Sequence, residues 1–221
     1  MTYSQILRKL RALKNKRNIA GMARFGIRGK NILGIPKPLL DRMARIVGKD
    51  HELALKLWDS QIHEARILAA LIDSPEKVTS SQMEKWVRGF DSWDVCDQVC
   101  GKLFDRTPFA VRKAREWSRR EREYEKRAGF VLMATLAVHD EKMEDKVFLS
   151  FLPLLRRESW DERNFVKKSV NWALRQIGKR DRFLYRAAVA EAKRIGKLRT
   201  SSARWIAADA IREFVHCRIR N

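Results

Sequence analysis

In the stretch SQIHEARILAALID, residues 60–73, Ile62, Ala65, Leu68, Ala69 and Ile72 recur every three or four positions. That period puts them on one stripe of an α-helix, whereas a strand would send successive side chains to opposite faces. The same pattern extends outward from this segment. Residues 123–138 repeat it with Ala128, Val131, Leu132, Thr135 and Leu136. Residues 164–177 do so with Phe165, Ser169, Trp172 and Ala173, and residues 202–215 with Trp205, Ile206, Asp209 and Ala210. Period-two alternation is nearly absent. The 10 Gly and 5 Pro fall at junctions such as Gly34-Ile35-Pro36 and Thr107-Pro108. The reading is about a dozen helices and no sheet.

These helices carry a recurring feature. EARILAAL, EKRAGFVLMA, VKKSVNWALR and SARWIAADA each set a basic residue just before a run of small and apolar ones. Taking Arg66, Arg127, Lys168 and Arg204 as equivalent gives separations of 61, 41 and 36 residues, and WDVCDQVCGKLF fills the centre of the longest. A period of about 30 to 45 residues built from helix pairs marks a HEAT-type α-solenoid. A compact non-repetitive bundle is the alternative. The expected architecture is one all-α domain over residues 1–221, curved, with a basic concave face and residues 1–17 as a peripheral basic helix.

Lys and Arg number 48 against 27 Asp and Glu, a net charge of +21. Residues 1–50 hold 13 basic and 2 acidic side chains, and residues 193–221 hold 8 and 2. An excess concentrated at both ends points to a polyanionic partner, nucleic acid first. No apolar run is long enough to span a bilayer, the basic helices lack bulky apolar faces, and no signal peptide is expected at the start. Cys96, Cys100 and Cys217 form neither a disulfide framework nor a zinc spacing, and His51, His63, His139 and His216 stand apart. Free thiols in a reducing cytoplasm, no metal and no cofactor are the expectation.

One repeat slot departs from the rest. In WDVCDQVC the position that holds Arg or Lys elsewhere falls near Asp97. An acid on a basic face is repelled by the phosphates its neighbours attract. Two readings stand: a catalytic carboxylate, or a salt bridge between helices to Arg127 or Lys168.

At this point the chain resembles the AlkD-like DNA alkylation repair glycosylases. Four segments carry the likeness from about residue 18 to residue 216: Met22–Ile27 with Leu33–Pro38, Ser92–Asp97, Lys126–Ala128, and Lys168–Arg175. Ser92 stands where family members often have an aromatic residue. The resemblance implies a monomeric DNA glycosylase that acts on cationic alkylated purines in duplex DNA. It assigns Trp93, Asp97, Arg127 and Trp172 to the active site. The side chains expected to bind DNA are Arg24, Lys30, Lys37, Lys126, Lys168, Arg175 and Arg204.

The residue types suit that chemistry. An N3- or N7-alkylated purine is already cationic and leaves readily, through an oxocarbenium-like sugar. Asp97 could oppose the developing cation and accept a proton from water, while Trp93, four residues earlier on the same helical face, turns an electron-rich ring toward the sugar. Asp94 is read as a brace at the helix start. No lysine nucleophile accompanies Asp97, so hydrolysis without strand cleavage is expected. Two other classes share much of the pattern: a non-catalytic solenoid for bent or branched DNA, and a HEAT adaptor whose basic groove takes an acidic peptide.

Overall fold

Every regular element among the described residues, 1–29 and 31–216 of a computed structural model, is helical. The chain divides into two compact units, Met1–Thr107 and Pro108–Asn221. The first holds α1 (Tyr3–Ala12), α2 (Lys16–Arg24), α3 (Lys37–Val47), α4 (His51–Asp59), α5 (His63–Ile72), α6 (Ser80–Arg88) and α7 (Trp93–Lys102). The second holds α8 (Ala110–Trp117), α9 (Glu123–His139), α10 (Asp145–Glu158), α11 (Asn164–Gly178), α12 (Arg182–Gly196) and α13 (Ser201–His216).

In the first unit α5 is central: it packs on α3, α4 and α7. The residues of the 60–73 stripe are buried along it. Trp58 of α4 and Trp86 of α6 stack with ring centroids 4.3 Å apart, with Phe90 and Phe104 at their edges. The basic N-terminal helix belongs to this core. Thr2 and Gln5 close a reciprocal cap on α1, and Ile6 and Leu10 are fully buried, with α1 against α4 and α5. The expectation of a peripheral helix is corrected by those two side chains.

In the second unit α9 packs on α11 and α11 on α13, while α10 packs on α12. Alternate helices thus form two layers, the arrangement expected of stacked helix pairs. The buried faces of α11 and α13 are slightly out of phase with the stripes that the sequence period predicts. On α11 the buried residues are Val166, Ser169, Val170, Ala173, Leu174 and Ile177, with Phe165 and Trp172 at the rim. On α13 they are Ser202, Ala203, Ile206, Ala207, Ala210 and Phe214, which leaves Trp205 exposed and Asp209 partly so.

Gly129 lets α9 approach α8. A Cβ there would lie 2.3 Å from the Ser118 nitrogen and 2.9 Å from the Ala114 oxygen, both backbone atoms that cannot swing aside. On an exposed helix Gly→Ala gains up to about 1 kcal/mol. Here the overlap reverses the sign. Gly129→Ala should cost about 1–3 kcal/mol and lower Tm by several degrees in a thermal melt; an unchanged or raised Tm would show that α8 can yield.

Candidate nucleic-acid site

In the first unit the candidate side chains are positioned from the start of α5. Glu64 is buried, and its carboxylate accepts hydrogen bonds from the backbone nitrogens of Leu33 (2.9 Å), Gly34 (2.6 Å) and Ile35 (3.2 Å). Gly34 has φ +75, and a Cβ on it would meet the Asn15 carbonyl oxygen at 2.5 Å. The Leu33–Pro38 segment is therefore a folding device: a carboxylate clamps the loop, glycine turns it, and Pro36 caps α3.

Two further side chains of α5 fix α7. Arg66, also buried, donates to the Gly89 carbonyl and to both oxygens of Asp91, each at 2.7 Å, just before α7 begins. His63 Nε2–H donates to Asp94 Oδ2 at 2.7 Å. Burial, the largest single influence, pushes the Asp94 carboxyl up, but the hydrogen bond and charge of His63, together with smaller contributions from Ser92 and the Val95 backbone, hold the group below its ordinary pKa. Asp94 thus ties the first turn of α7 to α5. Its Oδ2 is engaged there, while Oδ1 is buried without a hydrogen-bond partner among the described residues.

On α7 the buried residues are Val95, Cys96, Val99 and Cys100, whereas Trp93, Asp94, Asp97 and Gln98 are partly exposed. Trp93 and Asp97 therefore share the outer face, as their spacing implied. The Trp93 indole nitrogen donates to the Phe25 carbonyl at 2.9 Å. The ring borders a cavity of about 950 Å³ within this unit, together with Arg17, Arg24, Lys37, His63 and Asp94. Burial raises the Cys100 thiol well above its usual pKa, and neither Cys96 nor Cys100 is in a disulfide.

In the second unit Arg127 is buried, 6% exposed, and donates from Nη1 to the Phe165 carbonyl at 2.6 Å, holding the first turn of α11. Trp172 is half-buried on α11, on the same face as Phe165, Lys168 and Arg175.

The cationic residues expected at DNA fall into distinct groups. Arg24, Lys168 and Arg204 are exposed. Lys37 is paired with Asp41, and Arg175 with Glu213 at 2.5 Å. Lys126 is corrected: its ammonium is buried, 2.7 Å from Glu158 and 3.3 Å from Asp161, so its charge is already met inside the unit. Lys30 and Cys217 lie outside the described residues. The presumed equivalence of the four repeat cations also splits, since Arg66 and Arg127 point inward while Lys168 and Arg204 are exposed. His63, Glu64 and Arg66 were missed as positioning residues. Their sole sequence signal is a cluster of ionisable groups in the first turn of an otherwise apolar helix.

Among the described residues no helix is long and apolar enough to cross a membrane. Two Listeria proteins are similar to this chain: uncharacterized protein Lin0241 of Listeria innocua, 25% identical over 202 residues, and uncharacterized protein Lmo0209 of Listeria monocytogenes, 24% identical over 202. Each alignment covers 90% of this chain and 88% of the relative. A solved structure described as "a new family of proteins related to the HEAT-like repeat DNA glycosylases with affinity for branched DNA structures" superimposes with a TM-score of 0.80. It is 17% identical, and the match covers 100% of this chain and 99% of that one, so the all-helical, HEAT-like fold is shared. The model of the family described as DNA alkylation repair enzyme matches residues 6–214, and the chain belongs to that family.

Proposed function

We propose that the protein is a monofunctional DNA glycosylase that hydrolyses the N-glycosidic bond of cationic alkylated purines, of the 3-methyladenine and 7-methylguanine type, in duplex DNA. The observation that carries the reading is the outer face of α7, where Trp93 and Asp97 stand together while Asp94 is engaged by His63. In this reading Asp97 opposes the positive charge that grows on the deoxyribose as the purine leaves, and takes a proton from the attacking water. The Trp93 ring contributes its electron-rich face to the same cation, about 0.5–2 kcal/mol. The departing base is already charged and needs no general acid. Trp172 and Arg127 of the second unit are assigned through the family likeness, Trp172 as a second aromatic wall. Arg127 acts by positioning, in keeping with its burial. Release of 7-methylguanine from methylated DNA, compared between the wild type and Asp97→Asn, tests the proposal.

One observation favours a second reading. The solved structure that matches the whole fold is described by its affinity for branched DNA. Under that reading the chain recognises DNA shape and charge without excision, and Asp97→Asn changes nothing measurable.

Either way, exposed cations supply the grip. Affinity for duplex DNA should fall with salt by about 0.9 log units per log unit of salt for each phosphate neutralised. Arg24→Ala, Lys168→Ala and Arg204→Ala should each flatten the slope by about one, lesion or no lesion, because phosphate contacts carry no sequence information. Lys126→Met should leave the slope unchanged. Equal slopes for all four variants and the wild type, read by anisotropy titration, would contradict this division.

A further inference from the structure

We infer that Trp160 and Trp205 form an aromatic platform on the second unit that stacks unpaired nucleobases. The inference rests on the DNA-binding reading and is independent of the excision chemistry. Trp117, Phe130, Phe148 and Phe151 of this unit are fully buried, whereas Trp160, Phe183 and Trp205 are exposed. Trp160 is 56% exposed and Trp205 38%.

Neither indole is loose. The Lys126 ammonium lies 5.5 Å from the centroid of the Trp160 ring, and that ammonium is itself pinned by Glu158 and Asp161. One side of the indole is therefore backed by a fixed, buried cation while more than half of the residue meets solvent. Trp205 has a partly exposed cation over its ring, with Lys167 Nζ 5.4 Å from the centroid. The segments that carry the two rings are tied together. The residues directly after Trp160 are tied to the first turn of α13: Ser202 Oγ donates to the Asp161 carbonyl at 2.8 Å, and Ser201 Oγ to Glu162 Oε2 at 2.7 Å. Trp205 lies one turn further along α13.

The chemistry of the surroundings selects the occupant. Exposed Lys168 and Arg204 adjoin Lys167 and Trp205, so a stacked base would have its phosphates beside cations. A fixed ring backed by positive charge offers a π-face that any base can use, whatever its sequence. Bases inside a duplex already have both faces covered. Only bases at a flap, gap, junction or extruded site can take the platform.

The test uses the full-length protein and three labelled DNAs: a duplex, the same duplex with a short single-stranded flap, and one whose flap consists of abasic residues. The wild type should bind the base-bearing flap more tightly than the abasic one. Trp160→Ala and Trp205→Ala should each weaken base-bearing flap binding about tenfold. Both should leave the duplex and the abasic flap unaffected, and Phe at either position should restore most of the loss. Excision of 7-methylguanine from duplex DNA should proceed at the wild-type rate in these variants. Equal wild-type affinity for the two flaps, or an equal loss on all three DNAs, overturns the platform. A wild type inert toward 7-methylguanine would sink the glycosylase reading and leave the flap comparison standing. A wild type that binds none of the DNAs would sink both.

Discussion

Asp97→Asn is expected to slow release of 7-methylguanine by about 10² to 10³, the rate equivalent of roughly 3–4 kcal/mol of electrostatic stabilisation lost from the transition state. Affinity for duplex DNA should hold or rise slightly. The substitution is nearly isosteric and removes one negative charge. In the proposed complex with DNA that charge faces phosphates in the ground state and repels them. In the transition state it faces an oxocarbenium-like sugar, so only the barrier suffers. The neighbouring carboxylate is the control. Asp94 is bound to His63 and braces α7 against α5. Asp94→Asn should therefore lower stability, and activity only in proportion to the folded fraction. Single-turnover rates at saturating enzyme, with thermal melts of both variants, separate the two cases. Wild-type excision by Asp97→Asn would make Asp97 structural and sink the catalytic assignment. Tight DNA binding with no excision by either protein would favour the non-catalytic reading.

Arg127→Ala is a less clean probe. The side chain is buried and holds the Phe165 carbonyl, so its removal leaves a buried acceptor without that donor and loosens the start of α11. Loss of activity there should be accompanied by loss of stability.

The helices were legible because burial imposes a 3.6-residue period, and the stripes at 60–73 and 123–138 match α5 and α9 closely. On α11 and α13 the period held but the phase slipped. The period alone places Trp172 and Trp205 on the apolar stripes, whereas packing favours small residues such as Ser169, Ala173 and Ala203 where helices cross closely. The shared face of Trp93 and Asp97 followed directly from four-residue spacing. What single-sequence reasoning could not supply was the fate of each charge. Lys126 and Lys168 look alike as basic residues near a helix start, yet one is buried between Glu158 and Asp161 and the other is exposed. The difference is set by carboxylates more than 30 residues away, and periodicity holds no record of them.

Glu64 is the clearest case of that kind, and its removal should be among the most damaging single changes to the first unit. The carboxylate receives three backbone N–H groups, those of Leu33, Gly34 and Ile35, at a loop that carries a positive φ at Gly34. Hydrogen bonds to a charged acceptor are worth more than neutral ones, and a buried N–H left unpaired costs about 1–3 kcal/mol. Glu64→Ala strands three of them and leaves a cavity, for a total of roughly 3–6 kcal/mol. A typical domain has only about 5–15 kcal/mol in hand, so the variant should be marginal or partly unfolded at 37 °C. Glu64→Gln discriminates hydrogen bonding from volume. Its single carbonyl oxygen can still face Gly34, but its amide group sets a donor against the donor of Leu33, so an intermediate loss is expected. Urea unfolding of both variants supplies the measurement. The loop at stake borders the cavity beside Trp93, so DNA affinity should fall with it even though Glu64 touches no DNA in this reading. If Glu64→Gln unfolded within about 0.5 kcal/mol of the wild type, the charge would be irrelevant and the clamp merely a matter of fit.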